Sequence, residues 1–156
     1  MTIVDIADIP GRSYPAGRRT RNLVGGASVI QHPHFCQGYV ELAPNGGQVP
    51  WHNHPEEETY FIIEGSGQIC IGDTCQKIHA GKCVFIPSMV FHQLTNTGSV
   101  LMKMIYTYGP SGDVAHWRQE LEGTLPVAGV DAPSLPDGAF PQHTAVIPRF
   151  GVADTD

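Results

Sequence analysis

Short apolar runs broken by turn residues set the rhythm of this chain. Candidate strands cover residues 35–42, 59–64, 67–71, 75–78, 83–86, 92–96 and 100–108, lengths that suit strands and fall short of helices. Turn signals separate most of them: Pro44-Asn45-Gly46-Gly47, Gly65-Ser66-Gly67, Gly72-Asp73, Ala80-Gly81 and Asn96-Thr97-Gly98. In the last run Met102, Met104, Tyr106 and Tyr108 fall on alternate positions, as one face of a core would. Only residues 114–121 have helical spacing, with Val114, Trp117 and Leu121 in register for one apolar face. The 35 residues that follow carry Pro126, Pro133, Pro136, Pro141 and Pro148. They read as an irregular strap over the barrel or over a partner subunit.

The pattern predicts one all-β domain, with an N-terminal arm and edge strand over 1–34, a run of strands over 35–108, and a short helix plus strap over 109–156. The 156 residues suffice for one core and one site. A formal net charge of -6 gives no general attraction to nucleic acid or anionic lipid, so neither is expected as a partner. Arg12, Arg18, Arg19 and Arg21 cluster near the start and read as a solvated arm. Asp5, Asp8, Pro10 and Pro15 interrupt the region where a signal peptide needs an apolar run, so a cytoplasmic location is expected.

The four cysteines lack zinc-finger spacing. A turn at Gly72-Asp73 sets Cys70 opposite Cys75, but in a reducing compartment both are expected as free thiols. Cys83 reads as a buried apolar residue.

The candidate chemistry lies in two blocks. From Gly46 there are five residues to His52, one to His54, three to Glu58 and six to Gly65. From Gly81 there are five residues to Pro87, four to His92 and three to Asn96. These spacings resemble the two motifs of the cupin superfamily, with one departure: Met89 stands where glycine is usual. The resemblance implies a double-stranded β-helix of the jelly-roll type, with one divalent transition-metal ion held by His52, His54, Glu58 and His92. It also implies a homodimer, and assigns Pro87 and Asn96 to keeping the fold.

Chemistry supports the same ligands. Two residues apart in a strand, His52 and His54 would face one way about 6.6 Å apart along the backbone. Three imidazoles and a carboxylate suit Fe(II), Zn, Mn, Ni or Co, whereas Ca(II) and Mg(II) prefer oxygen shells. The competing reading makes His52 and His54 a surface pair and Glu56, Glu57 and Glu58 a solvated turn. The matched position of His92 weighs against it, and only Glu56 and Glu57 are expected to be solvated.

The expected function is an enzyme whose small organic substrate chelates the ion, with an Fe(II) dioxygenase favoured. A redox-neutral isomerase, cyclase or decarboxylase using Zn, Mn or Ni is the alternative, and a non-catalytic small-molecule binder a further one. Glu58 or a tail histidine is the candidate proton carrier of the redox-neutral reading. Tyr60, on the same strand face, is the candidate substrate contact, against a competing reading as a packed barrel aromatic. His32, His34, His116 and His143 read as surface residues, unless the tail folds over the cavity and brings His116 or His143 into it.

Overall fold

The computed structural model describes residues 1–112 and 114–143; Pro148 and the end of the expected strap lie outside them. Ten strands form two antiparallel sheets: β1 (Arg12–Tyr14), β2 (Arg18–Val24), β3 (Cys36–Leu42), β4 (Gln48–His52), β5 (Glu57–Glu64), β6 (Ser66–Ile71), β7 (Thr74–His79), β8 (Cys83–Ile86), β9 (His92–Asn96) and β10 (Met102–Gly109). One sheet runs β1-β2-β3-β10-β5-β8 and the other β4-β9-β6-β7. Facing each other, they make the jelly-roll barrel that the resemblance implied. One helix, α1 (Ala115–Glu122), follows β10. Among the described residues no helix is long and apolar enough to cross a membrane.

The core follows from parity. Along β10, Met102, Met104, Tyr106 and Tyr108 are buried, and in register with them on β3 lie the buried Leu42, Val40 and Cys36. Opposite Tyr106 the β3 residue is Gly38, where an added Cβ would sit 2.4 Å from the tyrosine ring. That gap lets the Tyr106 hydroxyl donate to Asn22 Oδ1 at 2.8 Å. Asn96 is fully buried. Its amide donates to the carbonyls of Leu42 and Val100, and its side-chain oxygen accepts from Gly98 N, which fits the expected fold-keeping role.

Four expectations change. The arginine cluster is not a solvated arm: β1 and β2 pair with each other and β2 pairs with β3, so Arg18 points inward and is only 2% exposed. Cys83 is exposed, because on the edge strand β8 it shares the outer face with Phe85 while Ile86 is buried. Cys70 and Cys75 pair across β6 and β7 and are joined as a disulfide. The buried helix face is His116 and Glu120, with Val114 and Trp117 beside it, while Leu121 is 44% exposed.

The strap lies along the outer face of the β4-β9-β6-β7 sheet. Gln48, Gln68, Gln93 and the Trp51 indole donate to the carbonyls of Pro141, Gly138, Phe140 and Pro133. Outward side chains of the sheet thus satisfy backbone groups that an irregular segment cannot pair for itself.

Met89 takes φ 63°, the left-handed region. Its N–H donates to the His54 carbonyl at 2.8 Å and its carbonyl accepts from the Asn53 amide at 3.1 Å, so this turn ties His54 to the approach to His92. The left-handed backbone costs a residue with a Cβ about 1–2 kcal/mol, and glycine there would lose about 0.4–1 kcal/mol through the freer unfolded chain. The Met89 side chain is 59% exposed and contributes little packing. Met89→Gly should therefore raise the unfolding free energy by about 0.5–1 kcal/mol in urea titrations. A loss of stability would contradict this account of the turn.

Candidate metal centre

Four side chains reach one end of the barrel from separate pieces of scaffold. His52 ends β4, His54 lies in the turn that follows, Glu58 sits on β5 and His92 opens β9. The register of β4 decides the placement of His52. Val49 pairs with Leu94 and His52 with His92, so β4 spends three residues where β9 spends two. This β-bulge reverses the parity of the strand. Val49 joins the core and His52 still faces inward, while the Trp51 indole reaches out to the strap. His54 does not share a strand face with His52, as the sequence suggested, because the strand ends at His52. The two rings nevertheless come within 5.6 Å, centroid to centroid.

The candidate ligand atoms of His52, His54, Glu58 and His92 all lie within 4.8 Å of one another, and all four residues are buried. His52 Nδ1–H donates to the Pro50 carbonyl at 2.6 Å and His92 Nδ1–H to the Val90 carbonyl at 3.0 Å. A carbonyl only accepts, so each proton is fixed on Nδ1 and each Nε2 lone pair turns inward. His52 Nε2 and His92 Nε2 are buried without a hydrogen-bond partner among the described residues. Glu58 Oε2 lies 3.0 Å from His54 Nε2 and 3.4 Å from His92 Nε2. Inward lone pairs beside one carboxylate fit a divalent transition-metal ion.

The protonation states of His52 and Glu58 agree with this. Burial, and then the neighbouring His116, His92 and His54, hold His52 well below its ordinary value, which keeps it a neutral ligand. Burial pushes Glu58 up, but the neighbouring His54 and His92 outweigh it and leave the carboxyl lowered and ionised. Burial pulls His54 down, but Glu58 and Glu56 outweigh it and leave the imidazole raised. Glu56 is thus not merely solvated: its carboxylate lies 3.3 Å from His54 Nδ1. Glu57 is exposed, as expected. Tyr60 is buried beside the cluster, its ring 6.2 Å from that of His92. Burial and the charge of Glu58 push its hydroxyl well above the usual range, so it is a hydrogen-bond donor and not a base.

The sequence reading placed His116 at the surface unless the tail folded over the cavity, and α1 does fold over it. His116 is buried, with its ring 3.7 Å from that of His52 and both nitrogens unpartnered among the described residues. Burial, then Arg18, His54 and His92, hold it well below the ordinary value. The available signal was the spacing of His116 and Glu120, one turn apart on a helix. His143 does not reach the cavity; its N–H donates to Gln48 Oε1 on the strap side. His32 and His34 are exposed.

The Cupin domain family matches residues 38–108, and the chain belongs to the cupin superfamily. It is 30% identical over 96 residues to the protein SchB of Streptomyces halstedii, covering 58% of this chain and 69% of SchB. It is 32% identical over 90 residues to the dimethylsulfoniopropionate lyase DddQ of Ruegeria pomeroyi, covering 57% of this chain and 39% of DddQ. The polyketide cyclase RemF from Streptomyces resistomycificus shares the fold, with a TM-score of 0.60 at 20% identity over 71% of this chain and 80% of RemF. The chain spans 66%, 69%, 39% and 52% of the lengths of four curated relatives it matches.

The metal-free protein should lose stability on acidification. His52 and His116 are lowered from an ordinary value near 6.5, so below about pH 6.5 the unfolded chain binds more protons than the folded one. His54, raised, opposes them: its contribution is present below that pH and lost as pH rises through its folded value. Two groups outweigh one, and lowered Glu58 adds a further loss at lower pH. The melting temperature should fall between about pH 7 and pH 5.5, and His116→Gln should shrink that fall. A flat or rising profile would refute it.

Proposed function

We propose that this protein is a mononuclear metal-dependent enzyme acting on a small organic molecule that chelates the ion, and that it works by proton transfer and not by oxygenation. His52, His54, Glu58 and His92 would hold the ion. A bound Zn(II), Mn(II) or Ni(II) ion supplies Lewis acidity that makes a proton beside a chelated carbonyl easier to remove.

The observation that carries this reading is His116. It is a fourth buried imidazole at the cluster, it lies outside the convergent quartet, and neither of its nitrogens is engaged among the described residues. A neutral imidazole in that state can take a proton at one nitrogen and give one from the other. Oxygenation would use the same four ligands and assign His116 no task. Tyr60, protonated, faces Glu58 and steadies its carboxylate. Trp117, edge-on to Tyr106 and Tyr108, helps to exclude water behind His116. DddQ is by name a lyase and RemF by name a cyclase, and both are redox-neutral reaction classes.

Elemental analysis of the purified protein should find one divalent transition-metal ion per chain, and His92→Ala should abolish its retention. Against a panel of diketones, catechols and hydroxylated aryl ketones, turnover should proceed anaerobically. His116→Gln should lower kcat about a hundredfold with metal content unchanged. Substrate loss that requires Fe(II) and consumes O2 would establish the dioxygenase instead, and failure to retain any metal would remove the enzyme reading.

A further inference from the structure

Beyond His116, the inward face of α1 continues to Glu120, whose carboxylate pairs with the buried guanidinium of Arg18 on β2. Arg18 is also stacked on Tyr14, its Cζ 3.8 Å from the ring centroid. Thr20, two residues along β2, points the same way and is buried. After all contacts are made, Arg18 Nε, Glu120 Oε1, Thr20 Oγ1 and both nitrogens of His116 remain buried and unpartnered among the described residues. Buried polar atoms are nearly always paired, so five of them in one strip call for a polar partner from outside the chain. His116, one turn before Glu120 on the same buried face of α1, has its ring centroid 3.7 Å from that of His52, which places the near end of the strip beside the metal cluster.

We propose that this strip of β2 and α1 is a second subsite, which takes the non-chelating end of the substrate, and that the group it takes is an uncharged hydroxyl. This rests on the reading of the metal centre given above and adds the substrate class. The argument is one of charge and of hydrogen-bonding capacity. Arg18 is neutralised by Glu120, so the strip has no surplus positive charge for a second carboxylate, and the free Glu120 oxygen repels one. An ammonium would meet the guanidinium. A hydroxyl both donates and accepts: it can donate to Glu120 Oε1 and accept from Arg18 Nε–H or the Thr20 hydroxyl. Thr20 and Glu120 are then specificity-determining residues that touch the substrate and leave the ion alone.

Three probes share one chelating end: catechol, hydroxytyrosol with a hydroxyethyl arm, and dihydroxyphenylacetate, whose arm ends in a carboxylate. Their binding to the Zn(II)-loaded protein is read by calorimetry. Hydroxytyrosol should bind at least tenfold tighter than dihydroxyphenylacetate. Thr20→Val should weaken hydroxytyrosol about fivefold and leave catechol and the zinc stoichiometry unchanged. Glu120→Gln, which frees the charge of Arg18, should reverse the order so that dihydroxyphenylacetate becomes the tighter ligand. A structural role alone would not move that ranking. Equal affinities of the three probes, or a uniform loss across them in Thr20→Val, would overturn the subsite while the metal centre stands. If zinc is not retained and no probe binds, both readings fall.

Discussion

Between Val49 and His52 the β4 strand carries one residue more than its partner β9 carries between Leu94 and His92. Side chains alternate with a period of two, so in a regular ladder Val49 and His52 would lie on opposite faces. Either the core would lose Val49 or the cluster would lose His52. The bulge resolves the conflict, and Pro50 is suited to sit within it because proline has no N–H to withdraw from a ladder. The Pro50 carbonyl then accepts the His52 Nδ1 proton, so the same irregularity that turns the ring inward also fixes its tautomer. Convergence on one point depends on this local break in the sheet.

The barrel interior is divided by chemistry. Toward one end Val40, Leu42, Ile62, Leu94, Met102 and Met104 pack as an apolar core. Toward the other, imidazoles and carboxylates are buried together, an arrangement that costs stability unless each group is matched. Some matching is internal, as in Glu58 between His54 and His92 or Arg18 with Glu120. The unpartnered atoms are concentrated at this end, which is how a site differs from a core: its groups are completed by what binds.

That division also explains what was legible in the sequence. β8 and β9 were read to the residue, and β3, β5, β6, β7 and β10 to within two, because their inward positions are apolar and alternate visibly. The metal quartet was legible because its spacing is imposed by the strand lengths and turns between its members. Residues 1–34 were read as an arm and one unplaced edge strand, and the bounds of β2 were missed because the residues it buries are Arg18 and Thr20. β4 was missed because a bulge, a proline and burial on both faces erase the alternation. The face of α1 was misread for the same reason: it buries His116 and Glu120, and hydrophobic periodicity cannot register a polar face turned inward. Local rules failed where the interior is built for chemistry.

The family match spans residues 38–108 and contains the whole metal quartet. Arg18, Thr20, His116 and Glu120 all lie outside it, on segments before and after. Arg18 and Glu120 are 102 residues apart in sequence, yet their pairing joins β2 to α1. The matched segment therefore contains the four candidate ligands, while the residues of the proposed subsite lie outside it. On that proposal the groups that would meet the far end of the substrate come from parts of the chain that the family pattern leaves unspecified, so a shared fold need not mean a shared substrate.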